Sequence, residues 1–245
     1  MKINVKIPKD LGAITLAQYK HYLDIQSKNK DDKFLQAKMI EIFCDISLSN
    51  VYKLKYNDSL EIISILTKMF EQKPQLVKKF KIGKTEYGFN PSLDDLTLGE
   101  YMDLDTYIGD WTNIEKAMNV LYRPITASLG SKYSIKEYEA KENLDILKMP
   151  MDAVNSSIFF FLSFRDGLIE SYDELFGQQS RGSLDRVSQF AERYGWFNSL
   201  FGLAGGDITK FKYITKLNVH ECLLMLEFMK AKNELESTQI KSKFK

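Results

Sequence analysis

The stretch LVKKFKIGKTEYGFN, residues 76–90, decides the fold class, because the spacing of apolar residues changes there from a helical to an alternating pattern. Lysines alternate with apolar residues as far as Gly83 and Lys84, which suit a tight turn into a second alternating run. This pattern predicts a β-hairpin over residues 77–89. Residues 2–7 alternate in the same way, so we expect them to form the third strand of a small antiparallel sheet in the N-terminal half.

Outside these strands the apolar residues recur at helical spacing, which predicts a mainly α (α+β) protein. Residues 151–176 are apolar on nearly every side and predict a central, buried helix. Residues 133–140 predict a further short helix. The hairpin ends near the start of a long helical region, so we expect an N-terminal α+β subdomain over 1–90 and a helical subdomain over 91–245, packed as one unit.

Two six-residue phrases resemble one another, ITLAQY at residues 14–19 and LTLGEY at residues 96–101. Each places a threonine three residues before a glutamine or glutamate, which is the spacing of a capping box at the start of a helix. Residues 134–137 show the same spacing. Convergent helix capping, an internal duplication and a shared binding element would each explain the likeness, and the sequence leaves all three open.

The charge of the chain is balanced, with 34 basic and 33 acidic residues among 245 and a net charge of +1. This balance gives no support for a protein that binds a nucleic-acid duplex, although basic runs occur at 78–84 and 230–245. The chain opens with a strand-like pattern rather than a signal peptide, and its longest apolar stretch, near 156–164, is too short to span a membrane. We therefore expect an intracellular protein without membrane contact.

Residue types that carry chemistry are sparse. The two histidines, His21 and His220, have no partner at a recognised metal-ligand spacing. Cys44 and Cys222 each lie in an apolar helical pattern, which favours buried, reduced thiols. Acidic residues crowd the segment 94–110, where capping and a solvated helix face are favoured over a divalent-cation site. We expect no catalytic residue, no metal and no cofactor.

Aromatic residues are abundant, with 16 phenylalanines and 13 tyrosines, and two aromatic-rich segments stand out at 122–126 and 193–206. Core packing accounts for many of these rings. An excess of rings without catalytic residue types also suits a protein–protein surface, where tyrosine, tryptophan, phenylalanine and arginine act as anchors. The candidate partner-binding residues are Tyr122, Arg123, Tyr194, Trp196, Phe197 and Phe201.

The order of several segments carries a family resemblance. ITLAQY, YGFNPSLDDLTLGEYMDLDTYIGD, AMNVLYRPI and YSIKEY follow one another, with a phenylalanine-rich helix after them. In this order the chain resembles tailed-bacteriophage tail morphogenesis proteins, either tail-assembly-chaperone-like or baseplate-related. Gly99-Glu100-Tyr101 with Asp103, and the run from Leu121 to Ile125, are its most specific parts, and neither is a catalytic signature.

The resemblance implies a non-enzymatic phage morphogenesis protein that acts through protein–protein contacts in tail assembly. Its partners would be other phage structural or tail proteins, with self-association as a further option. It would act in the cytoplasm of the bacterial host during assembly. Two alternatives remain open at this stage: a structural component of the virion in the tail, baseplate or head–tail connector, and a nucleic-acid-associated protein that uses the basic hairpin and the lysine-rich tail.

Overall fold

The computed structural model describes residues 3–141, 143–176 and 195–243. The chain divides into two compact units, and each is built from two separate stretches. Two of the three boundaries between the units fall within helices, between residues 106 and 107 and between residues 160 and 161, and the third falls between residues 91 and 92. Unit 1 comprises Met1–Pro91 and Tyr107–Phe160, and unit 2 comprises Ser92–Thr106 and Phe161–Lys245.

This division differs in kind from the contiguous split expected at residues 90 and 91. The segment 107–160 belongs with the N-terminal residues, because it supplies half of the sheet and a helix that packs beside it. Fold class itself is confirmed in its coarse form, a mainly helical structure with a small antiparallel sheet.

The helices range in length from 4 to 25 residues. In chain order they are α1 (Leu16–Lys28), α2 (Asp32–Phe43), α3 (Leu48–Val51), α4 (Tyr56–Glu71), α5 (Leu98–Tyr107), α6 (Ile114–Leu121), α7 (Met151–Ser171), α8 (Asp173–Phe176), α9 (Trp196–Leu203), α10 (Phe211–Ile214) and α11 (Val219–Lys243). Single 3-10 turns lie at Leu11–Ala13, Leu144–Lys148 and Ile208–Lys210.

The sheet of unit 1 has four antiparallel strands in the order β1 (Lys79–Ile82), β2 (Thr85–Phe89), β3 (Tyr122–Leu129) and β4 (Lys132–Ile135). The predicted hairpin is confirmed as β1 and β2. A second hairpin joins β3 to β4, and both turns consist of a glycine and one further residue. Gly83 and Gly130 each have a φ of 58°, which a residue with a side chain adopts only at a cost.

The prediction that residues 2–7 form a third strand is wrong for the residues that the structure describes. Residues 3–8 form neither helix nor strand, although Ile3, Val5 and Ile7 are half-buried and alternate with exposed side chains. The alternation therefore reflects an extended segment with one face against the protein. Strand β3 takes the predicted place beside the hairpin, with Phe89 opposite Tyr122.

The short helix predicted over 133–140 is also wrong, because these residues begin as strand β4 and continue without regular structure. Pro124 disfavours helix in the preceding residue, so the chain leaves α6 directly into β3. The Gly130-Ser131 turn then returns the chain antiparallel, with Leu129 opposite Lys132. A capping box at 134–137 is accordingly not formed.

Aromatic rings and α7 fill the interior of unit 1. The ring of Tyr19 on α1 lies 5.3 Å from that of Phe70 on α4 and 5.0 Å from that of Trp111, measured between centroids. Helix α7 confirms the apolar helix predicted from residue 151, and Val154 is fully buried. Its Phe160 is nevertheless 44% exposed, so the helix is not buried on every side.

Unit 2 has a separate small core. Its buried residues come from α5, α9, α10 and α11, and they pack against a ring of half-buried side chains that includes Trp196. The sequence also predicts a polar loop at 177–183 and a helix over 184–201; the loop and most of that helix lie outside the described residues. The core residues are Leu98, Leu200, Ala204, Ile214 and Cys222.

Both repeated phrases form complete capping boxes. The Gln18 amide donates to the Thr15 hydroxyl at 3.3 Å, and the Thr15 amide donates to the Gln18 side chain at 2.9 Å. At the second phrase the Glu100 amide donates to the Thr97 hydroxyl at 3.2 Å, and the Thr97 amide donates to the Glu100 carboxylate at 2.8 Å. Two backbone donors are thus satisfied at the start of α1 and of α5.

The likeness of the two phrases extends to their backbone partners. Thr15 forms an isolated antiparallel bridge with Pro150, immediately before α7, and Thr97 forms one with Asn218, immediately before α11. The flanking amides and carbonyls pair at 2.9 Å in unit 1, and at 2.8 and 2.9 Å in unit 2. Each phrase therefore ties the start of one helix to the start of a later one.

We expect Thr15→Ala and Thr97→Ala each to lower the free energy of unfolding by about 1 kcal/mol, because each removes an N-cap hydroxyl. Urea unfolding followed by circular dichroism measures the change. Thr106→Ala is the matched control, since the Thr106 hydroxyl is exposed and bonds only a carbonyl within α5. A loss at the caps no larger than that of the control would contradict the prediction.

Candidate partner-binding surface

Five of the six predicted partner-binding residues are described by the structure, and they belong to two different units. Tyr122 and Arg123 belong to β3 in unit 1, whereas Trp196, Phe197 and Phe201 belong to α9 in unit 2. Tyr194 lies outside the described residues.

Tyr122 is a core residue and presents no surface to a partner. Only 1% of it is exposed, and its hydroxyl donates to the Val77 carbonyl at 2.6 Å. The rings of Phe80 and Phe89 meet its ring edge-on, at centroid distances of 4.9 and 5.4 Å. Burial raises the pKa of the Tyr122 hydroxyl, so it stays protonated and can donate at every physiological pH.

Arg123 is half-buried and lines a hollow beside β3 and β4 together with Asn119, Lys136 and Tyr138. The neighbouring side chains carry charges of both signs, since Glu137 and Glu139 lie there beside Lys136. This composition suits a polar rim better than the apolar centre of an interface.

Trp196 fixes α9 onto unit 2. Its indole Nε1 donates to a carboxylate oxygen of Asp105 at 3.0 Å, and its ring meets that of Tyr101 at 90° with 5.5 Å between centroids. Tyr101 is itself buried. The tryptophan is therefore an anchor of the helix, with its polar edge satisfied inside the unit.

Phe197 and Phe201 are the two predicted residues that reach solvent. They are 54% and 49% exposed, and their separation of four residues places them on one face of α9. Leu200 and Ala204, on the face of the helix next to the two phenylalanines, are buried in the core. Phe197 also meets the ring of Phe211 edge-on at 5.6 Å. The two rings are therefore exposed on a helix that the core of unit 2 holds in place.

The chain turns sharply just after α9, and this turn supports the second ring. Gly206 has a φ of 81°, and a Cβ added there would lie 3.3 Å from the Cζ atom of Phe201. The ring therefore lies over the glycine backbone and cannot collapse further onto it. A glycine at this position keeps Phe201 both supported and partly exposed.

Sequence reasoning missed further exposed apolar residues in unit 2. Helix α11 buries Cys222 and Leu223, but several of its other apolar residues face solvent. The sequence does carry a signal for this exposure, because apolar residues continue at heptad spacing into the polar C-terminal end of the helix. The exposed residues are Ile169, Ile208, Tyr213, Leu224, Met225, Phe228, Leu235 and Ile240.

The cysteines and His220, whose side chains could in principle carry chemistry, take part in local packing and hydrogen bonding. Burial raises the pKa of the Cys44 and Cys222 thiols to about 11, so both are protonated at neutral pH. His220 lies with its Nδ1 atom 3.1 Å from the Tyr172 hydroxyl and its Nε2 atom 3.4 Å from a carboxylate oxygen of Asp94.

The acidic segment 94–110 is likewise used for capping and side-chain contacts. Glu100 completes a capping box, Asp105 accepts from Trp196, and Asp110 accepts from the Thr112 amide at 2.9 Å. Among the described residues there is no group of three or more histidines, cysteines or acidic residues placed to hold a metal ion. None of the described helices combines the length and the apolar character that a membrane span needs.

Comparisons with protein-family models, with curated proteins and with solved structures found no match to this chain. The resemblance to tailed-phage proteins therefore stays a prediction from the sequence segments named above. The surface of α9 is the feature of the structure from which a function can be argued.

Proposed function

We propose that this chain is a non-enzymatic bacteriophage morphogenesis protein that acts through protein–protein contacts in tail assembly. The observation that carries the contact role is the exposed pair Phe197 and Phe201 on α9. The order of the sequence segments supports the phage context. The protein would act in the cytoplasm of the bacterial host, and its partners would be phage tail or other structural proteins.

The geometry of the pair suits a binding site for physical reasons. A helix held by Leu200 and Trp196 loses little conformational freedom when a partner binds, so most of the gain from burial is kept. Covering the exposed half of a phenylalanine ring removes roughly 100 Å² of apolar surface and contributes about 2 kcal/mol. Two such rings together can provide the apolar centre of a small interface.

The test of this surface is a charge substitution on the exposed face. We expect Phe197→Glu and Phe201→Glu each to weaken partner capture by about tenfold or more, because a carboxylate would be buried at the interface. Tagged full-length chains are expressed during phage infection, and the proteins that co-purify are identified and quantified by mass spectrometry. Tyr56→Glu is the control, since Tyr56 is an exposed aromatic residue of unit 1, away from α9 in the sequence.

The proposal requires that a phage tail or other virion protein co-purify with the unchanged chain and with the Tyr56→Glu control. Loss of that partner in the two α9 variants supports the surface. Equal capture by all variants would place the contact elsewhere on the chain. Capture of host proteins alone would contradict the phage role.

A permanent place in the virion is the second candidate within the same class. A chaperone leaves the partner before the particle is complete, whereas a tail, baseplate or connector component stays. Mass spectrometry of purified particles distinguishes them, since the chain is absent in the first case and present at a fixed ratio in the second.

The nucleic-acid alternative depends on the basic hairpin. In the hairpin the Nζ atom of Lys79 lies 4.6 Å from the centroid of the Tyr133 ring, so the charge of this lysine already takes part in a cation–π contact within the protein. This alternative requires DNA binding that weakens steeply with salt. Negligible binding at low salt would remove it.

A further inference from the structure

We propose that α11 (Val219–Lys243) pairs in parallel with α11 of a second copy of this chain, through a stripe formed by Leu224, Phe228, Ala231 and Leu235. This inference does not depend on the proposed phage role or on the α9 surface. It follows from three features of α11: which of its faces are covered, the spacing of the exposed apolar residues, and the charges beside them.

Two faces of α11 are already occupied within unit 2. On one side its Met229 lies against Gly202 of α9, where an added Cβ would be 3.5 Å from the methionine methyl carbon. On another side Lys230 donates to the Leu175 carbonyl of α8 at 3.4 Å. His220, one turn before Leu224 and on the side of the stripe, contacts the Tyr172 hydroxyl, so the exposed stripe begins at Leu224. The remaining face carries the stripe.

The stripe is exposed and regular. Leu224, Phe228 and Leu235 are 61%, 58% and 60% exposed, and with Ala231 they are separated by four, three and four residues. This is the alternation of a two-stranded coiled coil, in which such positions meet along one seam. Apolar residues at this spacing on a solvent face are what a partner helix of the same kind covers.

The C-terminal half of α11 gains most from a second helix. Every residue from 231 to 242 is exposed, so this part of the helix runs on for roughly 18 Å without an apolar face buried against the rest of the described chain. Isolated helices of this length are marginal in water, and packing normally stabilises them. A helix from a second copy would supply that packing.

The flanking charges select the parallel arrangement. In a parallel pair Glu227, just before Phe228, faces Lys232 of the other copy across the seam, and the symmetry gives two such attractive pairs. In an antiparallel pair with Phe228 over Ala231, Glu227 instead faces Glu234 of the other copy and is repelled. The charges therefore choose the orientation, while the apolar stripe supplies the affinity.

Lys232 can pair with Glu227 of the other copy at little cost in stability. In the single chain its Nζ atom lies 3.8 Å from Glu236 one turn later, and both side chains are more than half exposed. Such a pair contributes little to the stability of a helix. Its replacement by a contact to Glu227 of the other copy is accordingly not opposed by the fold.

Sedimentation of the full-length chain over a range of concentrations tests the pairing. We expect a concentration-dependent dimer, and we expect Leu235→Lys to weaken it by about tenfold or more, because it places a charge in the seam. Ile240→Lys is the matched control. Ile240 is 56% exposed on the same helix, but it lies off the stripe, so its variant should dimerise as the unchanged chain does.

Engineered disulfides test the orientation. Ala231→Cys should cross-link to itself across a parallel seam, while Asn233→Cys, on another face of the helix, should not. The native Cys44 and Cys222 are buried and contribute little background. A chain that stays monomeric, a Leu235→Lys variant that dimerises normally, or equal cross-linking at both positions would overturn the proposal. Preferential cross-linking of Phe228→Cys to Ala231→Cys in a mixture would overturn the parallel arrangement.

Discussion

Tyr122→Ala will lower the free energy of unfolding by about 3 to 5 kcal/mol, the range observed when a buried aromatic side chain is truncated. The ring fills the space between Phe80, Phe89 and α7, and its loss leaves a cavity in the centre of unit 1. The change also leaves the Val77 carbonyl without the hydroxyl that donates to it at 2.6 Å. Urea unfolding monitored by circular dichroism is the measurement.

Two further variants separate the contributions at this position. Tyr122→Phe keeps the ring and removes the hydroxyl, so we expect a smaller loss of about 1 to 2 kcal/mol. Tyr52→Ala removes an exposed tyrosine of the same unit and should change stability by no more than about 0.5 kcal/mol. If Tyr122→Ala behaved like Tyr52→Ala, the assignment of Tyr122 to the core would be wrong.

Gly88→Ala will destabilise unit 1 by about 2 kcal/mol, because the position has no room for a methyl group. A Cβ at Gly88 would lie 2.4 Å from the Cε2 atom of Tyr133 and 3.0 Å from Ile125. The tyrosine ring cannot easily move away, since its hydroxyl donates to the Phe89 carbonyl at 2.7 Å. Overpacking at this crossing of β2, β3 and β4 will therefore strain the sheet.

The companion variants make this a test of the contact itself. Gly109→Ala is the control, because nothing lies within 4 Å of a Cβ added at Gly109. In the Tyr133→Ala background the ring is absent, so we expect Gly88→Ala to lose most of its effect. An undiminished loss in that background would mean that the cost does not arise from the tyrosine ring.

The parts of the fold that could be predicted are those fixed by neighbours in the sequence. The first hairpin follows from local alternation and from Gly83, and the capping boxes follow from Thr15 and Thr97 with their partners three residues on. The third strand could not be placed in the same way. Strand β3 pairs with β2 through contacts far apart in sequence, and Pro124 masks its alternation.

The candidate surface was predictable in composition but not in orientation. Helix α9 is apolar on almost all sides, so the sequence does not distinguish Leu200, which is buried, from Phe197 and Phe201, which are exposed. Tyr122 shows the opposite outcome, since an aromatic residue chosen as a surface anchor lies in the core. Which side of a helix or strand is covered depends on distant segments, and only the assembled structure shows it.

The two bridges at Thr15 and Thr97 have a consequence for dividing the gene. A fragment that ends at residue 91 would retain the first hairpin, yet Thr15 would lack its partner Pro150, and β2 would lack β3. A fragment that begins at residue 107 would leave Asn218 without Thr97. Neither half can be excised at a single cut, so expression designs, fusions and complementation pairs should retain both stretches of each unit on one chain.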